Sequence, residues 1–210
     1  MAQQGVSEMP DTIALDRLIK QRVDALLDER LEAKLAEIKA AKTSSMTIIA
    51  TKGTLDWAYP PFILASTAAA LGWDVSIFFT FYGLELLKKD LRKLKVSPLG
   101  NPAMPMKMPM GPAWFKSIRW NIPNAVQSLI PAYEAFATRM MKKTIKVKGV
   151  AEIGELRGLC IEAGVNLIGC QMTVDLFGYK RNEFIPEVKE YVGAATFLPM
   201  AKDADVSLFI

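Results

Sequence analysis

Met46-Thr47-Ile48-Ile49-Ala50-Thr51, then the loop Lys52 to Asp56, the apolar stretch Tyr59 to Leu71 and the run Val75-Ser76-Ile77-Phe78-Phe79-Thr80, together decide the fold of this 210-residue chain. The first and last pieces are short and rich in β-branched and aromatic residues, which is the composition of buried strands. The middle piece is long enough for a helix. Strand, helix and strand in this order form a βαβ unit. Runs this apolar fit a parallel sheet covered on both faces.

Within the same region, Pro60 to Gly83 is the nearest approach to a membrane span, with Asp74 as its only charge. Gly72 and Trp73 interrupt it, alanines 68 to 70 precede the break, and a β-rich run comes next. A helix packed on a sheet and then a buried strand account for it, so no membrane span is expected.

Outward toward the N-terminus, Thr43-Ser44-Ser45 is a polar break that separates residues 1–45, an amphipathic helical arm, from an α/β domain over 46–210. In the arm, Leu15, Leu18, Ile19, Val23, Leu27, Leu31, Leu35 and Ile38 recur at helical spacing from about Leu15 to Lys42, with Asp11 and Thr12 as candidate caps. A stripe of three to four heptads suits either a pairing arm or a helix laid on the domain, and a homo-oligomer is expected.

Toward the C-terminus the alternation continues. Helices are expected over Gly83 to Leu94, Asn124 to Lys143, Val150 to Glu162, Met172 to Phe177 and Ala194 to Ala204. Strands are expected over Val165 to Cys170 and Val206 to Ile210. A Met- and Pro-rich insertion near 98–113 interrupts the series. The sum is a three-layer α/β domain with a mainly parallel sheet flanked by helices, plus the N-terminal arm.

Composition narrows the chemistry. Hydrophobic residues at 51% and charged ones at 23% describe a chain that folds. A net charge of +4, spread among many acids, is not the footprint of a nucleic-acid binder. Two cysteines and no histidine exclude His-based triads and a four-ligand Cys/His zinc site within one chain. So few cysteines argue against a disulfide framework, and Met1 to Asp11 lacks the basic start and apolar run of a secretory signal. A cytoplasmic location is therefore expected.

Sites in open parallel sheets form at the carboxyl ends of strands. Cys170 falls there, closing Val165-Asn166-Leu167-Ile168-Gly169 before the helix start Gln171-Met172-Thr173. Backbone N–H groups at that place favour a thiolate or persulfide anion, although a buried packing role suits the position equally. Cys160 lies on the preceding helix, on a face with Ile153, Leu156, Leu159 and Ala163, which favours packing. Its functional alternative, a second thiol that receives or resolves sulfur from Cys170, requires the two to come within disulfide range. Met104, Met106, Met108 and Met110 could offer thioethers to Cu(I), but with no cysteine or histidine beside them a lid or contact surface is the better reading. Lys52 in Thr51-Lys52-Gly53-Thr54 could attract an anion, although the loop lacks the P-loop pattern.

Ala50-Thr51-Lys52-Gly53-Thr54-Leu55-Asp56, Ser76-Ile77-Phe78-Phe79-Thr80-Phe81, Gly169-Cys170-Gln171-Met172, Ala194-Ala195-Thr196-Phe197-Leu198 and Asp205-Val206-Ser207-Leu208-Phe209 together resemble the DsrE/DsrF-like family, in order, over about Met46 to Ile210. The resemblance implies a DsrE-like fold, homo-oligomers and a sulfur carrier or sulfurtransferase role. It also implies that Cys170 holds sulfane sulfur as a persulfide without metal or organic cofactor. The partners it implies are sulfur-relay proteins such as TusA-like carriers and rhodaneses. Two other readings stand beside it: a noncatalytic binding or scaffold protein of a sulfur-metabolism complex, and thiol redox chemistry between Cys160 and Cys170.

Overall fold

The computed structural model describes residues 12–97, 106–107, 111–117, 119–120 and 132–210, and the chain divides into two compact units, Met1–Thr43 and Ser44–Ile210. The described residues of the first form the helix α1 (Thr12–Ala41). Its apolar residues Leu15, Ile19, Val23, Leu27, Leu31 and Leu35 are exposed and stand four positions apart. Four residues overshoot a 3.6-residue turn by about 40°, so this row winds around the helix. It does not return to one face as the heptad reading expects.

The second unit is built on five parallel strands: β1 (Ser45–Ala50), β2 (Asp74–Phe79), β3 (Asn166–Cys170), β4 (Glu190–Val192) and β5 (Val206–Phe209), in spatial order β4-β3-β2-β1-β5. Among the described residues, the helices that pack with this sheet or follow its strands are α2 (Leu55–Ala70), α3 (Tyr133–Val147), α4 (Ile153–Glu162), α5 (Gln171–Phe177) and α6 (Ala194–Asp203), and a short helical turn spans Ala113–Ser117. From β1 to β4 each strand is added on the same side of its predecessor, and only β5 returns to the far side of β1. With right-handed crossovers, that reversal puts α6 on the opposite face from α2 and α4.

Strand alternation separates two cores. Ile48, Ile77, Phe79 and Leu167 face one way, into a large cluster with Phe62 of α2 and Leu156 and Cys160 of α4. Phe78, Ile168 and Cys170 face the other way, under Phe197 of α6, whose ring stacks on Phe78 with centroids 4.5 Å apart. At the strand starts, Asp205 accepts hydrogen bonds from the Ser45 N–H (2.9 Å) and hydroxyl (3.1 Å), which fixes β5 against β1.

Two expectations are corrected, and one strand is added. Helix α2 begins at Leu55 rather than Tyr59, because the Leu55 N–H is anchored by the Lys95 carbonyl at 2.8 Å and a first turn fits ahead of Pro60 and Pro61. Strand β4 went unpredicted, being only three residues long and edge-lying. No α-helix spans Gly83 to Leu94; two 3₁₀ segments, Phe81–Leu87 and Leu91–Lys93, stand there. The reason is that tertiary donors take the carbonyls an α-helix would use. Buried Arg157 donates to Leu86 O (3.0 Å) and Lys88 O (2.6 Å), and the Ile185 N–H donates to Leu87 O (3.0 Å).

Near the Met- and Pro-rich insertion, Met106–Lys107 pairs antiparallel with Arg119–Trp120. Met104, Met108, Met110 and residues 124–131 lie outside the described residues, as does Asp11. No helix among the described residues is long and apolar enough to cross a membrane.

Replacing Arg157 by Met leaves two largely buried carbonyls without donors. The expected cost is about 2 kcal/mol of stability, read as a lower urea midpoint at unchanged slope.

Candidate functional site

Parallel pairing of β2 with β3 sets Phe79 opposite Gly169, so the next residues, Thr80 and Cys170, come side by side at the carboxyl edge of the sheet. Past Cys170 the chain enters α5 immediately, which brings Thr173 back over the same spot. The Thr80 and Thr173 hydroxyl oxygens are 3.2 Å apart, and the Phe81 N–H donates to Thr173 Oγ1 at 3.3 Å. The Thr173 and Thr80 hydroxyls and the Thr173 and Met172 N–H groups stand at this end of the sheet and favour the anionic form of the Cys170 sulfur.

Two opposing effects act on this thiol. Burial, the largest, pushes it up because a desolvated thiolate is costly; the four donors favour the anion and together outweigh burial, leaving the group below its ordinary 9.0. No charged side chain among the described residues enters this balance. The residue itself is 3% exposed, yet its surroundings are open: Phe81 is 47%, Tyr82 66% and Met172 59% exposed. Phe81 and Tyr82 both pack on Phe177, with ring centroids 6.2 Å and 6.1 Å away.

Backbone geometry shapes this edge. Phe81 has a φ of 50°, a left-handed conformation that costs a bulky residue about 1–2 kcal/mol. Beyond it, Gly83 approaches so closely that a Cβ there would stand 2.1 Å from the Ala50 carbonyl oxygen, and one on Gly53 would stand equally close to Tyr82 O. The Thr51–Thr54 loop and the Thr80–Gly83 turn therefore abut. Lys52, however, lies over the Trp57 ring, 3.1 Å from its centroid.

Cys160 is in a different environment. It is fully buried on the other face of the sheet, its thiol donating to Phe62 O at 3.4 Å. Burial pushes that thiol up to about 11, with a backbone hydrogen bond at Ser66 pulling only partly the other way. Both cysteines are free, and β3 and its neighbours separate their side chains. The structure does not bring together the pair that sequence placed side by side as candidates.

Thr80, Thr173 and Phe81 are the site residues that sequence reasoning missed. A signal exists in hindsight: a threonine at the end of the strand neighbouring β3, and another three positions after the cysteine. It needs the β2–β3 register to be read. Among the described residues no cluster of His, Cys, Asp or Glu is placed to hold a metal ion.

The sequence model of the DsrE/DsrF/DrsH-like family matches residues 42–209. The sulfur carrier protein DsrE2 of Allochromatium vinosum is 56% identical over 165 residues, spanning 79% of this chain and 97% of that protein. The uncharacterized protein YrkE of Bacillus subtilis is 31% identical over 170 residues, spanning 80% of this chain and 98% of its own length.

With one thiol lowered and the other raised, iodoacetamide on the native protein is expected to modify Cys170 well before Cys160, with Cys160 reacting only on unfolding. Peptide mapping checks this. The Cys170 rate should rise with pH to a midpoint below 9.0 and fall away in acid as the thiolate is protonated.

Proposed function

We propose that this chain, which belongs to the DsrE/DsrF/DrsH-like family, is a sulfur carrier that holds sulfane sulfur as a persulfide on Cys170 and relays it between partner proteins. The observation that carries this reading is the place of the thiol, at a strand end beside the Thr80 and Thr173 hydroxyls and the start of α5, with surroundings that hold it below its ordinary value. A relative of high identity that bears the name sulfur carrier protein supports it.

The chemistry needs no external oxidant. The Cys170 thiolate attacks the sulfane sulfur of a donor persulfide, R–S–SH; the new S–S bond forms as the old one breaks, and R–S⁻ leaves with the bonding pair. Cys170–S–SH remains. In the second step an acceptor thiolate attacks the terminal sulfur, and Cys170 leaves as thiolate. Protons and electrons balance, and thiolate stability at Cys170 assists both the attack and the departure. In this scheme Cys160 packs the core and takes no part, since it sits across the sheet with a raised thiol.

The partners in this reading are other sulfur-relay proteins, such as TusA-like carriers and rhodaneses, meeting the chain in a reducing cytoplasm. The exposed aromatic surface of Phe81, Tyr82 and Phe177 beside Cys170 gives such a partner somewhere to rest. The exposed apolar row on α1 supports assembly into a homo-oligomer.

Intact-protein mass spectrometry after incubation with polysulfide, thiosulfate or tetrathionate tests the carrier role. Wild type and Cys160→Ser are expected to gain reducible sulfur, and Cys170→Ser to gain none. Equal loading of the Cys170→Ser variant would overturn the proposal.

A further inference from the structure

Every residue of α1 from Leu15 to Ile38 is exposed. Within it Ile19, Val23, Leu27, Leu31 and Leu35 stand four apart, each between 47% and 60% exposed. A helix that leaves such a row in water lacks its main source of stability, since helices in proteins are held chiefly by packing an apolar face. The helix also lies ahead of the family match, which begins at residue 42.

The charges beside the row decide what it fits. In an α-helix the residues just before and just after a given position point about 100° to either side of it. Those that precede the members of the row include Arg22, Arg30 and Lys34, the other two being Leu18 and Leu26. Those that follow include Asp24, Asp28 and Glu32, together with Lys20 and Ala36. One flank is therefore basic and the other mostly acidic. An anionic lipid surface calls for cations along the polar side and gains nothing from a line of acids.

A second copy of the same helix does match. When two identical helices pack in parallel, the preceding flank of each meets the following flank of the other, so base faces acid along both edges. Antiparallel packing sets base on base and acid on acid. The spacing of four is no obstacle to a pair, because rows at this spacing are the ridges that interlock when two helices cross at about 50°.

We propose that α1 is a self-pairing arm that packs in parallel against α1 of a second copy, with Val23, Leu27 and Leu31 at the crossing. Arg22, Arg30 and Lys34 of each chain then lie along Asp24, Asp28 and Glu32 of the other. This inference rests on the homo-oligomer reading above and names its interface and orientation. Apolar burial supplies the attraction and the flanks choose the direction: each exposed ion pair is weak, but the sign of the interaction reverses along both edges between the two orientations. No step at Cys170 depends on it.

Thiol cross-linking of the full chain with a short bismaleimide tests the proposal, in a Cys170→Ser background and with Cys160 buried, so that only an added cysteine reacts. Val23→Cys alone and Leu31→Cys alone are each expected to give a covalent dimer. Cross-linking only when the two variants are mixed is the signature of antiparallel pairing about Leu27, and it would overturn the proposal. Adding Asp24→Lys, Asp28→Lys and Glu32→Lys to Val23→Cys makes both flanks basic and is expected to abolish the cross-link. Mixing that chain with one carrying Val23→Cys, Arg22→Glu, Arg30→Glu and Lys34→Glu should restore it. An undiminished cross-link in the all-basic chain contradicts the assignment of the flanks. Sedimentation velocity of the unaltered chain separates the two ways to fail: a monomer removes the homo-oligomer reading and this one together, whereas an oligomer without the Val23 and Leu31 links removes this one alone.

Discussion

The carboxyl edge of the sheet depends on one close approach, that of Gly83 to the Ala50 carbonyl. For the chain leaving β2 to cross the end of β1, some residue must come within contact of that oxygen, and only a residue without a Cβ can. Once it does, Thr80, Phe81 and Tyr82 must make the turn in three residues. Phe81 takes the left-handed conformation, the Gly83 N–H reaches Thr51 O at 3.1 Å, and the Thr80 hydroxyl is left beside the end of β3. The thiol environment is thus a consequence of a backbone crossing that involves neither cysteine.

Much of the architecture was legible from sequence because the signals were local. Ile48 and Ile49, the Phe78-Phe79 run and Val165 to Ile168 each mark a strand by their own composition, and a strand-end cysteine followed by a helix start needs no tertiary information to be noticed. The 3₁₀ segment was not legible, since Leu84, Leu86 and Leu87 fit helical spacing. What prevents a helix is Arg157, about 70 positions away, taking the carbonyls. Nor could the opposite-face placement of Cys160 and Cys170 be read: it depends on helix handedness over the sheet combined with strand parity, although the helix carrying one and the strand end carrying the other are both marked in the sequence.

The two thiols show how one fold assigns different chemistry to the same side chain. Both are almost wholly enclosed, so burial alone would make both inert. What separates them is the supply of donors. Cys160 gives its proton to a helix carbonyl, an arrangement that only the neutral form can make, whereas the hydroxyls and N–H groups at the end of β3 favour the anion of Cys170. Exposure is therefore a poor guide to thiol character here, and the sign of the neighbouring hydrogen-bond partners is a good one.

The strand order carries a consequence for how the chain acquires its structure. From β1 to β4 each strand docks on the one made just before it, so the sheet can grow as a series of short loop closures. The far edge of β1 cannot be covered until β5 arrives, and the Ser45–Asp205 contact that secures it joins residues 160 positions apart. During synthesis that edge, with Ile48 and Ile49 behind it, is an open template for pairing until β5 leaves the ribosome. The slow, entropically costly step thus follows the making of the other four strands, and the interval before it is the period in which a nascent chain of this topology is most exposed to misassembly.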